Sequence, residues 1–114
     1  MEIPKELVAA SATPLVLTIL SKDESYGYAI IRDVRELSGG AFEWTDGMLY
    51  PILHRLEEQK LIKSRWRESE TGRKRKYYQL TNAGKKAMKA HREQWNTVHA
   101  VLQQAWGRRI ANAQ

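Results

Sequence analysis

The sequence predicts a mostly α-helical fold that contains one β-hairpin and ends in a long helix. Two observations predict it. Apolar residues recur at helical spacing before residue 60 and again after residue 81. Between these segments, residues 61–67 and 75–80 alternate between apolar and polar side chains on either side of a glycine-containing loop, which is typical of a hairpin. The length of 114 residues suits one domain with one modest core.

The first helix is expected within residues 4–20, which are rich in Leu, Val, Ile and Ala. Pro14 interrupts this segment, because proline removes one backbone hydrogen bond and its ring clashes with the carbonyl four residues earlier. Either the helix bends there, or a short arm precedes a helix that starts near Thr13. Residues 21–25 are expected to form a polar loop.

The second helix is expected over residues 26–37. Four apolar side chains at spacings of four, four and three share one of its faces: Tyr26, Ile30, Val34 and Leu37. Ser38-Gly39-Gly40 should end this helix, because glycine readily adopts the left-handed conformation. Phe42 and Trp44 alternate with other residues, which predicts a short extended piece.

The third helix is expected over residues 45–60. Thr45 is suited to cap its N-terminus, and Asp46 would face the positive end of the helix dipole. Pro51 lies early in the helix, so we expect a bend there. A buried stripe is predicted from Leu49, Ile52, Leu53 and Leu56.

The hairpin is expected to pair residues 61–67 with residues 75–80 through a loop over residues 68–74. Its alternation places Ile62 with Trp66 on one face of the first strand, and Tyr78 with Leu80 on one face of the second. The opposite faces would carry Lys63, Arg65, Arg67, Arg75 and Tyr77.

The last helix is expected to run from a cap at Thr81 to about Trp106. Six of its residues follow spacings of 3, 4, 3, 4 and 3, a seam of period 3.5 that calls for a partner helix: Met88, His91, Trp95, Val98, Leu102 and Ala105. The chain then divides into a head over residues 1–80, a dimerisation helix over residues 81–108 and a disordered tail over residues 109–114.

Positive charge is concentrated in the hairpin. The chain has a formal net charge of +6. Residues 60–77 carry 8 basic and 2 acidic side chains, a net +6, whereas residues 1–59 sum to −5 and residues 78–114 to +5. Such a stretch suits contact with a polyanion, although a solvated hairpin without a partner has the same composition.

Several classes of function are disfavoured. The chain has no Cys, which excludes disulfides and thiolate chemistry. Its three histidines are scattered and no nucleophile–base pattern is present, so we expect no metal site, no cofactor and no enzymatic activity. No secretory signal is visible, and the longest apolar stretch, residues 14–20, is too short to span a bilayer. A cytoplasmic protein without a membrane partner is expected.

Helix-turn-helix followed by a basic hairpin is the order of a winged helix-turn-helix, whose third helix enters the major groove of DNA while the hairpin, or wing, reaches the flanking backbone. Three motifs are specific in combination: Tyr26-Gly27-Tyr28-Ala29-Ile30, Leu49-Tyr50-Pro51-Ile52-Leu53-His54-Arg55-Leu56-Glu57, and Arg75-Lys76-Tyr77-Tyr78-Gln79-Leu80-Thr81. Over residues 5–106 the chain resembles the PadR family of bacterial transcriptional regulators. With one helix after the wing, it is similar to the short subgroup, which includes multidrug-sensing members.

The resemblance implies a homodimer that binds a palindromic operator in double-stranded DNA and represses transcription. The last helices would pair, with the first helix packed against them, and a planar aromatic effector would lie between the two copies of Trp95. The residues expected to hold that effector are Trp95, Val98, Met88, Ala10 and Leu15. Those expected at the dimer interface are Leu7, His91, Trp95, Val98, Leu102 and Ala105. Ser or Thr is common in the family at the position of Met48. Met48 therefore lacks the polar contact that such a residue would make at the start of the third helix.

Candidate DNA-binding residues lie on three elements. Tyr28 begins the second helix, where anions are favoured. Tyr50 and His54 lie four apart on the third helix, and Tyr50 either bonds a phosphate or caps the core. The full set is Tyr28, Thr45, Asp46, Gly47, Met48, Tyr50, His54, Arg73, Lys74, Arg75 and Lys76. Two other functions stay open: an RNA-binding module, or a structural interaction dimer whose basic charge is incidental.

Overall fold

The fold combines four helices with a small antiparallel sheet. The computed structural model describes residues 1–108, and the tail predicted over residues 109–114 lies outside the described residues. In chain order the elements are α1 (Lys5–Lys22), β1 (Ser25–Tyr26), α2 (Gly27–Leu37), α3 (Asp46–Glu58), β2 (Ile62–Glu68), β3 (Lys74–Leu80) and α4 (Asn82–Gly107). The sheet has the order β1-β3-β2. The predicted fold class, a winged helix-turn-helix with a long C-terminal helix, is confirmed.

Helix α1 runs unbroken through Pro14 and begins at Lys5, so the alternative start near Thr13 is wrong. The missing hydrogen bond at Pro14 is offset by burial of the C-terminal half of the helix. The buried residues of this helix are Ala12, Val16, Leu17, Ile19 and Leu20.

The core lies where α1, α2 and α3 meet the sheet. The stripe predicted on α3 is largely correct, because Leu49, Leu53 and Leu56 are fully buried. On α2, Leu37 is 69% exposed, which corrects its predicted place on the buried face. It is the last residue of the helix, and it lies beyond the surface that the other helices cover.

The connection between α2 and α3, where a short extended piece is predicted at Phe42 and Trp44, forms neither helix nor strand in the described residues. Trp44 is a core residue, 4% exposed, and its buried indole N–H has no hydrogen-bond partner within residues 1–108. Gly39 and Gly40 both have positive φ, as expected for the segment that ends α2.

Strand β1 takes only Ser25 from the loop predicted over residues 21–25, because α1 runs to Lys22. Ser25 pairs with Tyr78 and Tyr26 with Tyr77, which adds a third strand to the sheet. Because the Tyr26 ring and the Arg67 guanidinium lie against it, Tyr77 is only 8% exposed, not on the solvent face where alternation placed it. The rings of Tyr26 and Tyr77 meet edge to face, with centroids 5.3 Å apart.

The hairpin pairs Ile62 with Leu80 at its base and Glu68 with Lys74 near its tip, and Gly72 in the connecting loop has a φ of 81°. Ile62 is buried as predicted. Trp66, predicted on the same buried face, is 67% exposed. The hairpin extends past the core, so its outer half has no helix above it to bury an apolar side chain.

Helix α4 is anchored at its start and projects from the head. Thr81 caps it, because its Oγ1 accepts a hydrogen bond from the backbone N–H of Gly84 at 3.0 Å. Every described α4 side chain beyond His91 is exposed. The described residues span 65 × 31 × 20 Å, and none of their helices is long and apolar enough to cross a membrane.

Candidate nucleic-acid interface

An open groove of about 540 Å³ lies between the start of α2, the helix α3 and the inner face of the wing. Its lining is aromatic and basic: Tyr26, Gly27, Tyr28, Tyr50, Trp66, Arg73, Lys74, Arg75 and Lys76. Six of the residues predicted to bind DNA therefore meet in one groove, although they come from three separate segments of the sequence. They are Tyr28, Tyr50, Arg73, Lys74, Arg75 and Lys76.

The N-terminus of α2 contributes backbone donors to this groove. Tyr26, the cap residue, provides no side-chain hydrogen bond, and the first turn holds no acidic residue. The first N–H groups of a helix lack partners inside the helix, and its dipole makes this end positive. Tyr28 stands beside these donors with 69% of its surface exposed. This end of α2 is suited to an anion.

Tyr50 lies against the backbone of Gly27. A Cβ atom placed on Gly27 would be 2.5 Å from the Tyr50 hydroxyl oxygen, closer than atoms approach without a shift. The absence of a side chain at Gly27 therefore sets where the Tyr50 hydroxyl sits. Tyr50 is 38% exposed, so its ring borders the groove and is not part of the closed core.

The N-terminal end of α3 is exposed but lies outside this groove. Thr45 caps the helix as predicted, with its Oγ1 accepting from the Met48 N–H at 3.3 Å. The remaining predicted residues of α3 are all exposed on the helix surface: Thr45, Asp46, Gly47, Met48 and His54. Met48 also borders a second cleft, of about 530 Å³, between the start of α1 and the α2–α3 connection.

Part of the hairpin charge is compensated within the chain. Glu24 accepts hydrogen bonds from Arg67 and from Arg65, the latter at 3.1 Å. Lys76 lies 4.0 Å from Glu57 of α3. Among the described residues, Arg73 and Lys74 take part in no ion pair. Arg75 also takes part in none, so the groove cations without an acidic partner in residues 1–108 lie at the wing tip and the start of β3.

The outer face of the wing is a stack of arginines and tyrosines. The guanidinium carbon of Arg67 lies 4.0 Å from the centre of the Tyr77 ring, and that of Arg75 lies 4.4 Å from the centre of the Tyr26 ring. A side-chain hydrogen bond with Tyr77 and the charge of Glu24 raise the pKa of Arg67, which keeps it cationic. These contacts tie β2 and β3 to the short strand β1.

Within one copy of the chain, the residues predicted to bind an effector do not lie together in one site. Trp95 and Val98 border a shallow hollow of about 120 Å³ on α4. Met88 and Leu15 are half-buried against the core of the head, and Ala10 is exposed on α1. Of the residues predicted only at the dimer interface, Leu7, Leu102 and Ala105 are exposed and His91 is half-buried.

Three groove residues were not among the predicted sites: Tyr26, Gly27 and Trp66. The sequence pattern could have indicated Trp66, because it lies between Arg65 and Arg67 and four residues after Ile62, the buried residue of β2. Tyr26 had none, since a two-residue strand is too short to show alternation. Within residues 1–108, no group of His, Asp or Glu side chains is arranged to hold a metal ion.

Comparison with known proteins agrees with this architecture. Residues 16–90, more than half of the chain, match the model of the transcriptional regulator PadR-like family. The transcriptional regulator YqjI of Escherichia coli is 39% identical over 80 residues, which cover 70% of this chain and 37% of that protein.

Solved structures agree over most of the chain. A PadR-like transcriptional regulator from Bacillus cereus superposes with a TM-score of 0.82 at 27% identity, covering 92% of this chain and 100% of that one. A PadR family transcription regulator from Clostridium difficile has a TM-score of 0.75 at 36% identity, covering 84% and 98% of the two chains. Because the family model matches more than half of the chain and solved members share its winged-helix fold, this chain belongs to the PadR-like family of transcriptional regulators.

Proposed function

We propose that this protein is a homodimeric repressor that binds a palindromic DNA operator through α3 and the wing. Regulators of the family bind DNA, typically as dimers. The single observation that carries the proposal is the groove in which the start of α2, Tyr50 and the free cations of the wing tip face one another. Its basic and aromatic lining suits a sugar–phosphate strand.

The wing and α2 would hold the DNA backbone. Arg73 and Lys74 supply cations that carry no ion pair in the described residues, and each phosphate they neutralise would release condensed counterions. The N–H groups at the start of α2, with the exposed Tyr28 hydroxyl, would receive a neighbouring phosphate. These contacts would orient the head but would read no sequence.

Helix α3 would read the bases. In helix-turn-helix proteins, the N-terminal residues of the recognition helix reach the base edges in the major groove. Here the exposed residues of that end are Thr45, Asp46, Gly47 and Met48, and Tyr50 and His54 follow on the exposed surface of α3. Met48 offers only an apolar contact, which suits a thymine methyl group better than a base acceptor.

The head over residues 1–80 would be joined to its partner by the helix over residues 81–108. The apolar seam of α4 is left uncovered by its own head: Trp95 is 37%, Val98 52% and Leu102 41% exposed. Exposed apolar residues in one stripe mark an interaction surface, and two-fold pairing would bury the same stripe on both copies. Leu7 of α1 would border that interface.

A planar aromatic effector would bind between the two Trp95 side chains. The hollow beside Trp95 and Val98 is too small for such a molecule, so a second copy is needed to complete the site. Offset stacking on two indoles would hold a flat ring. Met88, Ala10 and Leu15 would serve as outer lining. Replacing Trp95 with Ala should abolish binding of planar aromatic dyes to the dimer, while binding that persists would contradict the effector site.

Selection of duplexes from a random DNA pool tests the main proposal. A recovered palindrome with half-sites about one helical turn apart is the expected result. The Arg73→Ala, Lys74→Ala double variant should weaken binding and reduce the slope of log K against log salt by about 4 for the dimer, because each of the two copies loses two cations. Arg65→Ala is the matched control, because Arg65 is paired with Glu24 and should change the slope little.

Two results would contradict the proposal. Tighter binding of structured RNA than of duplex DNA at one salt concentration would favour an RNA-binding module. An unchanged salt slope in the double variant, together with weak binding to every duplex, would favour a structural dimer whose charge is incidental.

A further inference from the structure

Trp66 is a large apolar side chain in an unexpected place. It lies in the middle of β2, opposite Lys76 in the register, and 67% of its surface is exposed. Single exposed apolar residues are common and need no explanation. Trp66 is not isolated, however, because it lines the same groove as Tyr28, Tyr50 and the basic wing tip.

The strand alternation directs Trp66 toward the groove. On the face of β2 that looks at α3, Ile62 enters the core and the hydroxyl of Ser64 donates to Glu57 at 2.5 Å. Trp66 is the next residue on this face, two positions beyond Ser64 and its hydrogen bond with Glu57 of α3. Its neighbours Arg65 and Arg67 point the other way and bond Glu24. The indole therefore stands on the ligand side of the wing.

The surroundings of Trp66 define the chemistry of what it contacts. In the groove, cationic side chains alternate with aromatic ones, a composition suited to a chain in which anionic groups alternate with apolar faces. A DNA strand has this pattern, with phosphates between deoxyribose rings whose C–H faces are apolar. The ring–ring and cation–π contacts found in the described residues all involve tyrosines, so the indole face is open.

We propose that Trp66 is a DNA-binding residue that packs its indole face on a deoxyribose of the operator backbone, next to a phosphate bound by Lys74. This inference rests on the proposed function, because it assumes that the groove holds a DNA strand. Trp66 adds a contact of a different kind from that of Lys74. It neutralises no phosphate, so it strengthens binding without releasing counterions.

The test separates affinity from salt dependence. Trp66→Ala should weaken binding to a labelled random-sequence duplex by about tenfold, as loss of an aromatic contact does, with the slope of log K against log salt unchanged. Trp66→Phe should recover part of the loss, because it restores an aromatic face. Lys74→Ala should instead reduce the slope by about 2 for the dimer, because each copy loses one cation. Trp66→Ala is expected to fold normally, because the residue is largely exposed.

Fluorescence provides an independent measurement. Saturating duplex should quench part of the wild-type tryptophan emission, and Trp66→Phe should lose that quenching. Trp106→Phe is the matched control, because Trp106 is 70% exposed but lies at the far end of α4. Quenching that survives Trp66→Phe and disappears in Trp106→Phe would overturn the proposal.

The failures can be told apart. If the wild type binds the duplex, and the Arg73→Ala, Lys74→Ala variant is weakened while Trp66→Ala binds like the wild type, the inference on Trp66 fails alone. The same holds if Trp66→Ala lowers the salt slope as Lys74→Ala does. If the wild type binds no duplex, the proposed function and this inference fail together.

Discussion

Single residues decide how much of the hairpin charge can act on a ligand. Eight basic side chains lie within residues 60–77. Arg65 and Arg67 are paired with Glu24, and Lys76 lies near Glu57. Three of the eight are therefore partly neutralised within the chain. Of the five that take part in no ion pair among residues 1–108, Arg73, Lys74 and Arg75 line the groove, whereas Lys60 and Lys63 do not.

The contact between Gly27 and Tyr50 leads to a prediction about binding. Gly27→Ala should push the Tyr50 ring outward, because its new Cβ would lie 2.5 Å from the Tyr50 hydroxyl oxygen. We expect duplex binding to weaken about fivefold, a loss of roughly 1 kcal/mol. The melting temperature should change little, since the end of an exposed side chain can move.

A double-mutant cycle provides the control for this contact. In a Tyr50→Phe background, the hydroxyl that meets the new Cβ is absent, so Gly27→Ala should cost clearly less affinity. Equal losses in both backgrounds would show that Gly27 acts through the backbone of α2 and not through Tyr50.

Tyr78 predicts an alkaline limit on stability. Burial raises the pKa of Tyr78 from 10.0 to about 12. The folded protein therefore holds this proton more tightly than the unfolded chain does, and the free energy of unfolding falls as pH rises from about 10 to about 12. Tyr78→Phe should flatten this fall in denaturant titrations, whereas Tyr28→Phe, at an exposed phenol, should leave it as in the wild type.

At the scale of elements, the pairing of β1 with β3 and the direct passage from β1 into α2 hold the two sides of the groove in place. The short strand β1 pairs with β3 and carries the chain directly into α2, so the wing and the start of α2 share one backbone framework. The arginine–tyrosine stack on the outer face and the Glu24 pairs reinforce that framework. The positions of the wing cations relative to α2 follow from these contacts.

The junction of α4 with the hairpin predicts a large effect at Gly84. A Cβ on this residue would lie 2.0 Å from the backbone carbonyl oxygen of Leu61, and backbone cannot move aside cheaply. Gly84→Ala should lower the free energy of unfolding by about 2–4 kcal/mol. Gly107→Ala, whose Cβ would meet no atom of residues 1–108 within 4 Å, should show no such loss in thermal melts. Equal melting temperatures for the two variants would contradict this account.

At the scale of the whole molecule, the shape agrees with the proposed pairing of two copies. The head has a core of its own, whereas the outer part of α4 carries apolar side chains with no partner in the described chain. The charge distribution supports a dimer as well. Residues 1–59 sum to −5 and residues 78–114 to +5, so the projecting helix of one copy is complementary in charge to the helices of another head.

Leu102→Glu should therefore convert the dimer to monomer. Pairing would bury Leu102, and a carboxylate there would be desolvated without a partner. Sedimentation velocity should show the wild type as a dimer and the variant as a monomer at the same concentration, with weaker operator binding. Gln104→Glu, which adds the same charge off the seam, is the control and should remain dimeric. A wild type that sediments as a monomer would contradict the proposed assembly.

Periodicity and local chemistry in the sequence were enough for most of the framework. The helices, the hairpin and the threonine caps at Thr45 and Thr81 are confirmed, because each depends on residues only a few positions apart. Strand β1, the burial of Tyr77 and the exposure of Trp66 were decided only by tertiary packing. Glu24 meets Arg65 and Arg67 from more than 40 positions away, and contacts of such separation leave no periodic pattern to read. The sequence alone therefore showed that the wing is basic, and the folded chain showed which of its basic side chains are in ion pairs with other described residues.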